Sequence, residues 1–119
     1  MAGIPSGNGS EVIKNAKVTT LSDSWQNLLP VYASNQIITI VSIIWTNQSA
    51  TDEKITMAQS DDDIGSNIHY FLNEQDLPGG DTFIWNDKFS WEGTKRLRVI
   101  TATTADVDVY ATYILQDWT

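Results

Sequence analysis

The chain consists largely of short segments in which apolar and polar residues alternate, and this period of two is typical of β-strands. Eight such segments follow one another, separated by turns rich in Asn, Asp, Gly, Ser and Pro. The predicted strands cover residues 11–20, 24–32, 36–47, 53–59, 67–73, 81–89, 95–103 and 106–115. Almost no segment shows the 3.6-residue period of an amphipathic helix.

The alternation also predicts which side chains face the core. Three of the strands supply the clearest inward set, which is Ile55, Met57, Leu97, Val99, Val107, Val109, Ala111, Tyr113 and Leu115. Asp106, Asp108 and Tyr110 alternate with the inward residues of the last strand, so they are expected on its solvent-exposed face. Sheets with one wet face are typically antiparallel. The predicted fold is therefore all-β, an antiparallel β-sandwich or jelly roll of about eight strands.

The segment 36–47 differs from the others because it is apolar on both faces. Strict alternation places Ile37, Val41, Ile43 and Trp45 on one face and Ile38, Ile40 and Ile44 on the other. A strand of this kind is expected to be covered on both sides. We predict that the opposite sheet covers one face and a neighbouring subunit or loop covers the other.

The length of 119 residues fits a single domain. Residues 1–10 are mostly Gly, Ser, Asn and Pro, which predicts a flexible N-terminal arm ahead of a β-sandwich domain at 11–119. The N-terminus has neither the basic nor the apolar region of a signal peptide. The longest apolar run, residues 37–45, is too short to cross a bilayer as a helix. We expect a chain without a membrane partner.

The net charge of the chain limits the kinds of molecule that it is expected to bind. Seven Lys and Arg residues stand against fifteen Asp and Glu residues, which gives a formal net charge of −8. An acidic surface repels phosphate, so binding to nucleic acid is disfavoured. The chain has no cysteine and therefore neither disulfides nor thiolate chemistry.

Few residues are available for catalysis. The single histidine, His69, lies in a predicted strand with Phe71 as its neighbour on the same face, which favours a packed or surface histidine over a member of a catalytic triad. One histidine without cysteine does not make a zinc site. Neither a G-x-S-x-G motif nor a phosphate-binding glycine loop follows a strand. We predict no enzyme activity, no catalytic residue, no cofactor and no metal.

The acidic residues offer two weaker alternatives. The stretch SDDDIGSN, residues 60–67, resembles a calcium ligand set in composition, but its three consecutive aspartates do not have the EF-hand spacing. We expect it to be a solvated hairpin loop in which Gly65 supplies a turn conformation. Asp106 and Asp108 share one strand face, an arrangement compatible with a glycosidase carboxylate pair, but a solvent-exposed face has the same pattern.

Five tryptophans are many for a chain of this length. Trp45 is predicted in the core, and the others are predicted at a subunit interface, where aromatic residues are enriched. The candidate interface residues are Ile4, Trp25, Trp85, Trp91, Tyr110 and Trp118. The alternative is a carbohydrate-binding module, which needs two or three of Trp25, Trp85, Trp91 and Trp118 coplanar and facing solvent.

Three stretches carry a resemblance to a known group of proteins. They are PVYASNQIITIVSIIWTNQSA (30–50), DLPGGDTFIW (76–85) and FSWEGTKRLRVITATTADVDVYATYIL (89–115). Together they resemble the small β-sandwich virion proteins of tailed bacteriophages, over about residues 20–115. The segment WEGTKRLRV departs from the Gly-Asp turn usual in that group.

The resemblance implies a structural role with no catalytic residues. The expected protein is a virion component assembled in the cytoplasm of a bacterial host, most simply a capsid decoration protein that docks on the head lattice through its arm and aromatic interface. A neck, tail or fibre-attachment component is the alternative. The expected partners are the major capsid protein or neck and tail proteins, together with further copies of the chain in a homo-oligomer. The resemblance favours a trimer.

Overall fold

The computed structural model describes residues 10–21, 23–103 and 106–117, and these form strands, turns and loops. The strands are β1 (Ser10–Leu21), β2 (Gln26–Asn27), β3 (Gln36–Asn47), β4 (Glu53–Ser60), β5 (His69–Leu77), β6 (Thr82–Trp85), β7 (Ser90–Glu92), β8 (Arg96–Thr101) and β9 (Val107–Asp117). No helix in the described part of the chain is long and apolar enough to cross a membrane.

The strands form two antiparallel sheets packed as a sandwich. The five-stranded sheet has the order β1-β9-β3-β6, and β7 also pairs with β3. The four-stranded sheet has the order β2-β8-β4-β5. When β7 is set aside, the remaining eight strands have the connectivity of a jelly roll. The predicted fold class is confirmed. The arm at residues 1–10 lies outside the described residues except for Ser10, which begins β1.

The core lies between the two sheets, and the predicted inward residues are all part of it. Each residue of that set is buried, from Ile55 on β4 to Leu115 on β9. Trp45, which was also predicted in the core, is the largest of the fully buried side chains. Asp106 and Tyr110 are exposed, as the alternation predicted. Where a strand is regular, the period of two therefore predicts correctly which side chains face the core.

In β3 the alternation is interrupted by a β-bulge. Ile40 pairs with Tyr113 and Ser42 pairs with Thr112, so Val41 is an extra residue without its own partner. The bulge shifts the phase of the strand, and the inward set becomes Ile38, Ile40, Ile43, Trp45 and Asn47. β3 therefore carries apolar residues on both faces, as predicted, but the residues before the bulge lie on the opposite faces from those that strict alternation assigns relative to Trp45. Within the chain only the inward face is fully buried, and cover of the other face by a neighbouring subunit stays a prediction.

Two predicted strands are much shorter in the structure than predicted. Segment 24–32 contains the two-residue β2, followed by backbone bonds from Leu28 N to Leu97 O and from Tyr32 N to Gly93 O, each of 2.8 Å. Pro30 has no N–H to continue the ladder. Segment 81–89 ends early, at Trp85, and a ninth strand, β7, follows it at 90–92.

Aromatic side chains close the side of the sandwich where β5 of one sheet faces β6 and β7 of the other. The ring of Phe89 is stacked 4.3 Å from Phe71 and 5.6 Å from Trp91, measured between centroids. Trp85 meets Phe71 and Phe89 edge to face. Edge-to-face and offset-stacked rings are both favourable, so this cluster stabilises the contact between the sheets.

Candidate assembly surface

The outer face of the four-stranded sheet is largely covered by the chain itself along β4 and at Arg98 of β8, whereas Tyr70 on β5, the partner of Ala58, is exposed. Thr56, Ala58, Ser60 and Arg98 point away from the core, yet all four are buried. The guanidinium carbon of Arg98 lies 5.3 Å from the ring centroid of Trp25, a distance at which a cation and an aromatic face attract. This face therefore offers few apolar side chains to a partner.

The loop at 60–67 is folded by its own aspartates. Asp62 Oδ1 accepts hydrogen bonds from Ile64 N at 3.1 Å and Ser66 N at 3.0 Å. Ser60 Oγ donates to the carbonyl oxygen of Asp62 at 2.6 Å. An aspartate that accepts bonds from nearby backbone N–H groups is a common way to build a turn. The predicted hairpin loop between β4 and β5 is present, and the side chain of Ile64 at its apex is exposed.

The other two aspartates hold this loop against the start of β8. Lys95 Nζ lies 2.9 Å from Asp61 Oδ1, and Arg96 Nε donates to Asp63 Oδ1 at 3.1 Å. Asn27 on β2 also donates to Asp63 Oδ1, at 3.2 Å. The carboxylates are thus engaged by neighbouring strands rather than only by solvent.

These contacts stabilise the charged form of all three carboxylates. The Asn67 side-chain hydrogen bond and the contact with Lys95 lower the pKa of Asp61. Hydrogen bonds from Ser66 lower the pKa of Asp62, and those from Asn27 and Arg96 lower the pKa of Asp63. Among the described residues no group of three or more His, Asp or Glu side chains could hold a metal ion.

The outer face of the five-stranded sheet is not covered by the chain. Tyr110 on β9, Ile44 on β3 and Ile84 on β6 are direct partners in the strand register and form one row across the sheet. All three are exposed, Ile84 by 53%. Ile13 on the edge strand β1 is 73% exposed on the same face. Exposed apolar residues on a single face are typical of interaction surfaces.

Charged residues on this outer face lie mainly at its two ends. Glu11 and Glu92 flank one end, where Glu11, Gln116, Ile37 and Glu92 form a cross-strand row. Asp108 lies at the other end, in a row with Thr46 and Thr82. We call the area between these two rows the bare face. Apart from Lys17 of β1, its outward residues with strand partners are neutral: Ile13, Asn15, Thr39, Ser42, Ile44, Ile84, Ser90, Tyr110, Thr112 and Ile114.

The structure separates the predicted interface residues. Tyr110 is exposed on the bare face. Trp25 is half-buried on the outer side of the other sheet, and Trp85 is half-buried with its Nε1 donating to Asp87 O at 2.7 Å. Ile4 and Trp118 lie outside the described residues.

The expectation that Trp91 is available to a partner needs correction. Trp91 is only 6% exposed because it lies on β7 and pairs with Ile38, an inward residue of β3. The sequence did not predict β7, and without this strand the direction of the Trp91 side chain was not determined. Trp91 is part of the core.

The residues considered for catalysis make structural contacts. His69 is exposed, and its ring meets Phe71 edge to face at 5.1 Å between centroids. Gln48 contacts both aspartates considered as a carboxylate pair, since its side chain donates to Asp108 of β9 and its backbone N donates to the backbone oxygen of Asp106, which precedes β9. The Asp108 carboxylate is therefore engaged by a surface loop.

Ile13, Ile44 and Ile84 were not among the predicted interface residues. Sequence reasoning favoured tryptophans, but the exposed apolar surface is largely aliphatic. The outward direction of Ile84 follows from its alternation with Phe83 and Trp85, so the sequence alone could have identified Ile84 as a surface residue. The outward direction of Ile44 likewise follows from its position next to the predicted core residue Trp45, on the opposite face of β3.

Comparisons with solved structures show the fold. The chain is similar to a structure from Bacillus endospore appendages, described as disulfide-linked pili, with a TM-score of 0.59 and 10% identity over 100% of this chain and 98% of that chain. It is similar to infectious bursal disease virus, Gx strain, with a TM-score of 0.57 and 6% identity over 95% of this chain and 33% of that chain.

A third similar structure is the virus-like particle of the extra small virus of the prawn Macrobrachium rosenbergii, with a TM-score of 0.50 and 9% identity over 99% of this chain and 85% of that chain. The chain spans only about a third of the bursal disease virus protein that it matches. No protein-family profile matches the chain. No curated protein matches it either. At these identities the likeness shows a β-sandwich shared with viral capsid and pilus proteins.

Proposed function

We propose that this protein is a non-catalytic structural subunit that works by binding other subunits of a larger particle. The observation that carries the proposal is the bare face, where Ile44, Ile84 and Tyr110 form an exposed row on one side of the sandwich. A soluble monomer rarely keeps aligned apolar side chains on one open face. Burial of this face against a partner removes that surface from water.

The similar structures support an assembly role in general terms, because they come from virus particles and a pilus. Within that class we propose a virion protein of a tailed bacteriophage, on the resemblance of residues 20–115. Capsid decoration is the first candidate, and a neck, tail or fibre-attachment component is the second. The major capsid protein or neck and tail proteins would be the partners, in the virion and in a closed homo-oligomer for which the resemblance favours a trimer.

Assembly through this protein would be non-covalent. The chain has no cysteine, so it cannot supply a disulfide of the kind named for the endospore appendage. An interface of standard size buries about 1,600 Å² in total, and a few apolar or aromatic anchors supply most of its energy. Tyr110 and the neighbouring isoleucines are suitable anchors, and the arm at 1–10 would add contacts on a neighbouring subunit.

Copy number in purified particles tests this proposal. We would quantify the chain against the major coat protein by mass spectrometry, using particles from the source lysate. Hundreds of copies per particle would support capsid decoration, whereas a few to a few tens would support a neck, tail or fibre-base position. Absence of the chain from the particles would contradict the virion proposal.

The arrangement of tryptophans does not favour the carbohydrate-binding alternative. Trp91 is buried, while Trp25 and Trp85 lie on different sheets, with Trp85 facing the aromatic cluster between them. A sugar-binding platform needs coplanar rings that face solvent, and these three residues do not form one. A glycan array that shows specific binding would reverse this assignment.

A further inference from the structure

We infer that the bare face packs against the bare face of a second copy of this chain across a two-fold axis. This inference rests on the proposed function, because it names a partner for the surface that carries that proposal. It starts from the contrast between the two outer faces. Outward residues of the four-stranded sheet such as Ala58 and Arg98 are buried by the chain, whereas Ile13 and Ile84 remain open.

The distribution of charge allows a second copy to pack on the bare face and on no other large part of the described acidic surface. Two copies that each carry a net charge of −8 repel each other over most of their surfaces. The centre of the bare face has no carboxylate, because Glu11 and Glu92 lie at one end and Asp108 lies at the other. Two such faces can meet without burying an acid, and charge at the rim with a neutral centre is the usual anatomy of an interface.

The size of the bare face is compatible with a small specific interface. Between its two end rows, β3 contributes residues 38–45, which span about 26 Å at roughly 3.3 Å per residue. Four neighbouring strands, β1, β9, β3 and β6, span about 19 Å at roughly 4.8 Å each. The face is therefore about 500 Å² per copy, or about 1,000 Å² in total, which lies at the lower limit for a specific interface.

The arrangement of side chains is compatible with sheet-on-sheet packing. Ile84, Ile44 and Tyr110 run across the strands as a row, and Thr39, Ser42 and Thr112 beside them are small. Two sheets packed face to face lie about 10 Å apart and interdigitate large and small residues. The hydroxyl of Thr39 already bonds to Ser90 at 2.8 Å, so burial of this pair would not leave either hydroxyl without a partner.

A face that packs on itself requires a two-fold axis and hence an even number of copies. This requirement distinguishes the inference from the trimer expected of a head decoration protein. A dimer of the 13.3 kDa chain has a mass of about 27 kDa (2 × 13.3), and a trimer has a mass of about 40 kDa (3 × 13.3).

The test compares the mass of the full chain and its variants in solution, by size-exclusion chromatography with light scattering over a dilution series. We expect the wild-type chain to be a dimer. The double substitution Ile44→Glu with Ile84→Glu places two charges in the centre of the face and should raise the dimer dissociation constant by about a hundredfold or more. Ile64→Glu is the matched control, because Ile64 is 88% exposed on the loop above the other sheet and should leave the dimer unchanged.

Circular dichroism and thermal melting establish that each variant is folded. A monomeric wild-type chain at every concentration, a trimer, or a dimer that the double substitution leaves intact would each overturn the inference. If the double variant does not fold, Tyr110→Ser provides the second variant, since Tyr110 is exposed and its replacement removes an anchor without adding charge. The proposed function is judged separately by the copy number in particles, so either result can fail alone.

Discussion

Asn47 Nδ2 donates a hydrogen bond of 3.0 Å to the carbonyl oxygen of Leu77, and this bond joins the end of β3 in one sheet to the end of β5 in the other. The same nitrogen donates to Thr51 O at 2.8 Å, and Asn47 Oδ1 accepts from Ser49 N at 3.0 Å. Asn47 is fully buried. A buried amide with all of these bonds made fixes the turn after β3.

Replacement of Asn47 by Leu should therefore be strongly destabilising. The variant leaves the carbonyl oxygens of Thr51 and Leu77 without this donor, and we expect the free energy of unfolding to fall by about 2–4 kcal/mol. Urea denaturation measures the change. Asn73→Ala, at an exposed position on β5, is the control and should stay within about 0.5 kcal/mol of wild type. Equal effects of the two substitutions would contradict the role assigned to Asn47.

The hydroxyl groups of Tyr113 and Tyr32 lie 2.8 Å apart. Tyr113 is buried, so Tyr113→Phe removes a hydrogen bond from the core and should lower the free energy of unfolding by about 0.5–1.5 kcal/mol. Tyr70→Phe, at an exposed position, should have almost no effect. A chemical denaturation series on both variants decides whether the tyrosine pair contributes to stability.

Burial and the contact with Tyr32 raise the pKa of Tyr113 above the ordinary tyrosine value of 10.0. The folded state therefore favours the neutral phenol. The resulting stabilisation is fully present below pH 10.0 and is lost as the pH rises through the folded-state pKa. A spectroscopic titration should show a late tyrosine ionisation, and this late step should be absent from Tyr113→Phe. A titration unchanged by the substitution would contradict the assignment.

The lowered pKa values of the aspartates in the 60–67 loop predict how the stability of the fold decreases in acid. The pKa values of Asp61, Asp62 and Asp63 are lowered from 3.8, so their contribution to stability is present above that pH and is lost as the pH falls through the folded-state values. Asp61→Asn with Asp63→Asn should flatten the fall in Tm below about pH 4. Asp87→Asn, an exposed aspartate elsewhere, controls for the loss of charge. An acid profile identical to wild type would refute this account.

Gly93 lies between two backbone segments that leave no space for a side chain. Its N donates to Gln36 O at 2.8 Å, and its O accepts from Tyr32 N at 2.8 Å. A Cβ at this position would lie 2.6 Å from Ala33 O. We expect Gly93→Ala to lower the free energy of unfolding by about 1–3 kcal/mol through this clash. Thermal melting of the variant measures this change. Ser34→Ala, in the exposed turn nearby, is the control and should leave the melting temperature unchanged.

The fold class could be predicted from the sequence because most strands are regular. In β9 the alternation of Val107, Val109 and Ala111 with polar residues is uninterrupted, and every inward residue it predicts is buried. Hydrophobic burial depends only on which side of a strand a residue lies, so a regular strand reveals its own core face.

The candidate site could be predicted only in part, because one backbone irregularity changed the pattern. Val41 adds one residue to β3, and this residue exchanges the inward and outward positions that follow it. The sequence places Ile43 on the same face as the predicted core residue Trp45 and Ile44 on the other face, and both positions agree with the structure. Only pairing with β9 shows that Ile38 and Ile40, before the bulge, are also inward. The short strand β7, with only three residues, was missed for the related reason that it depends on pairing with β3.

The difference between the two outer faces has a consequence for the concentration of salt at which copies associate. The Debye length is about 30 Å in 0.01 M salt and about 8 Å in 0.15 M salt, so dilute buffer lets the repulsion between two chains of charge −8 extend beyond the bare face. At physiological ionic strength this repulsion is confined to close range, and the apolar attraction between the faces is unaffected by screening. Free subunits would therefore remain dispersed in low salt and associate as ions are added, the reverse of an interface held together by opposite charges.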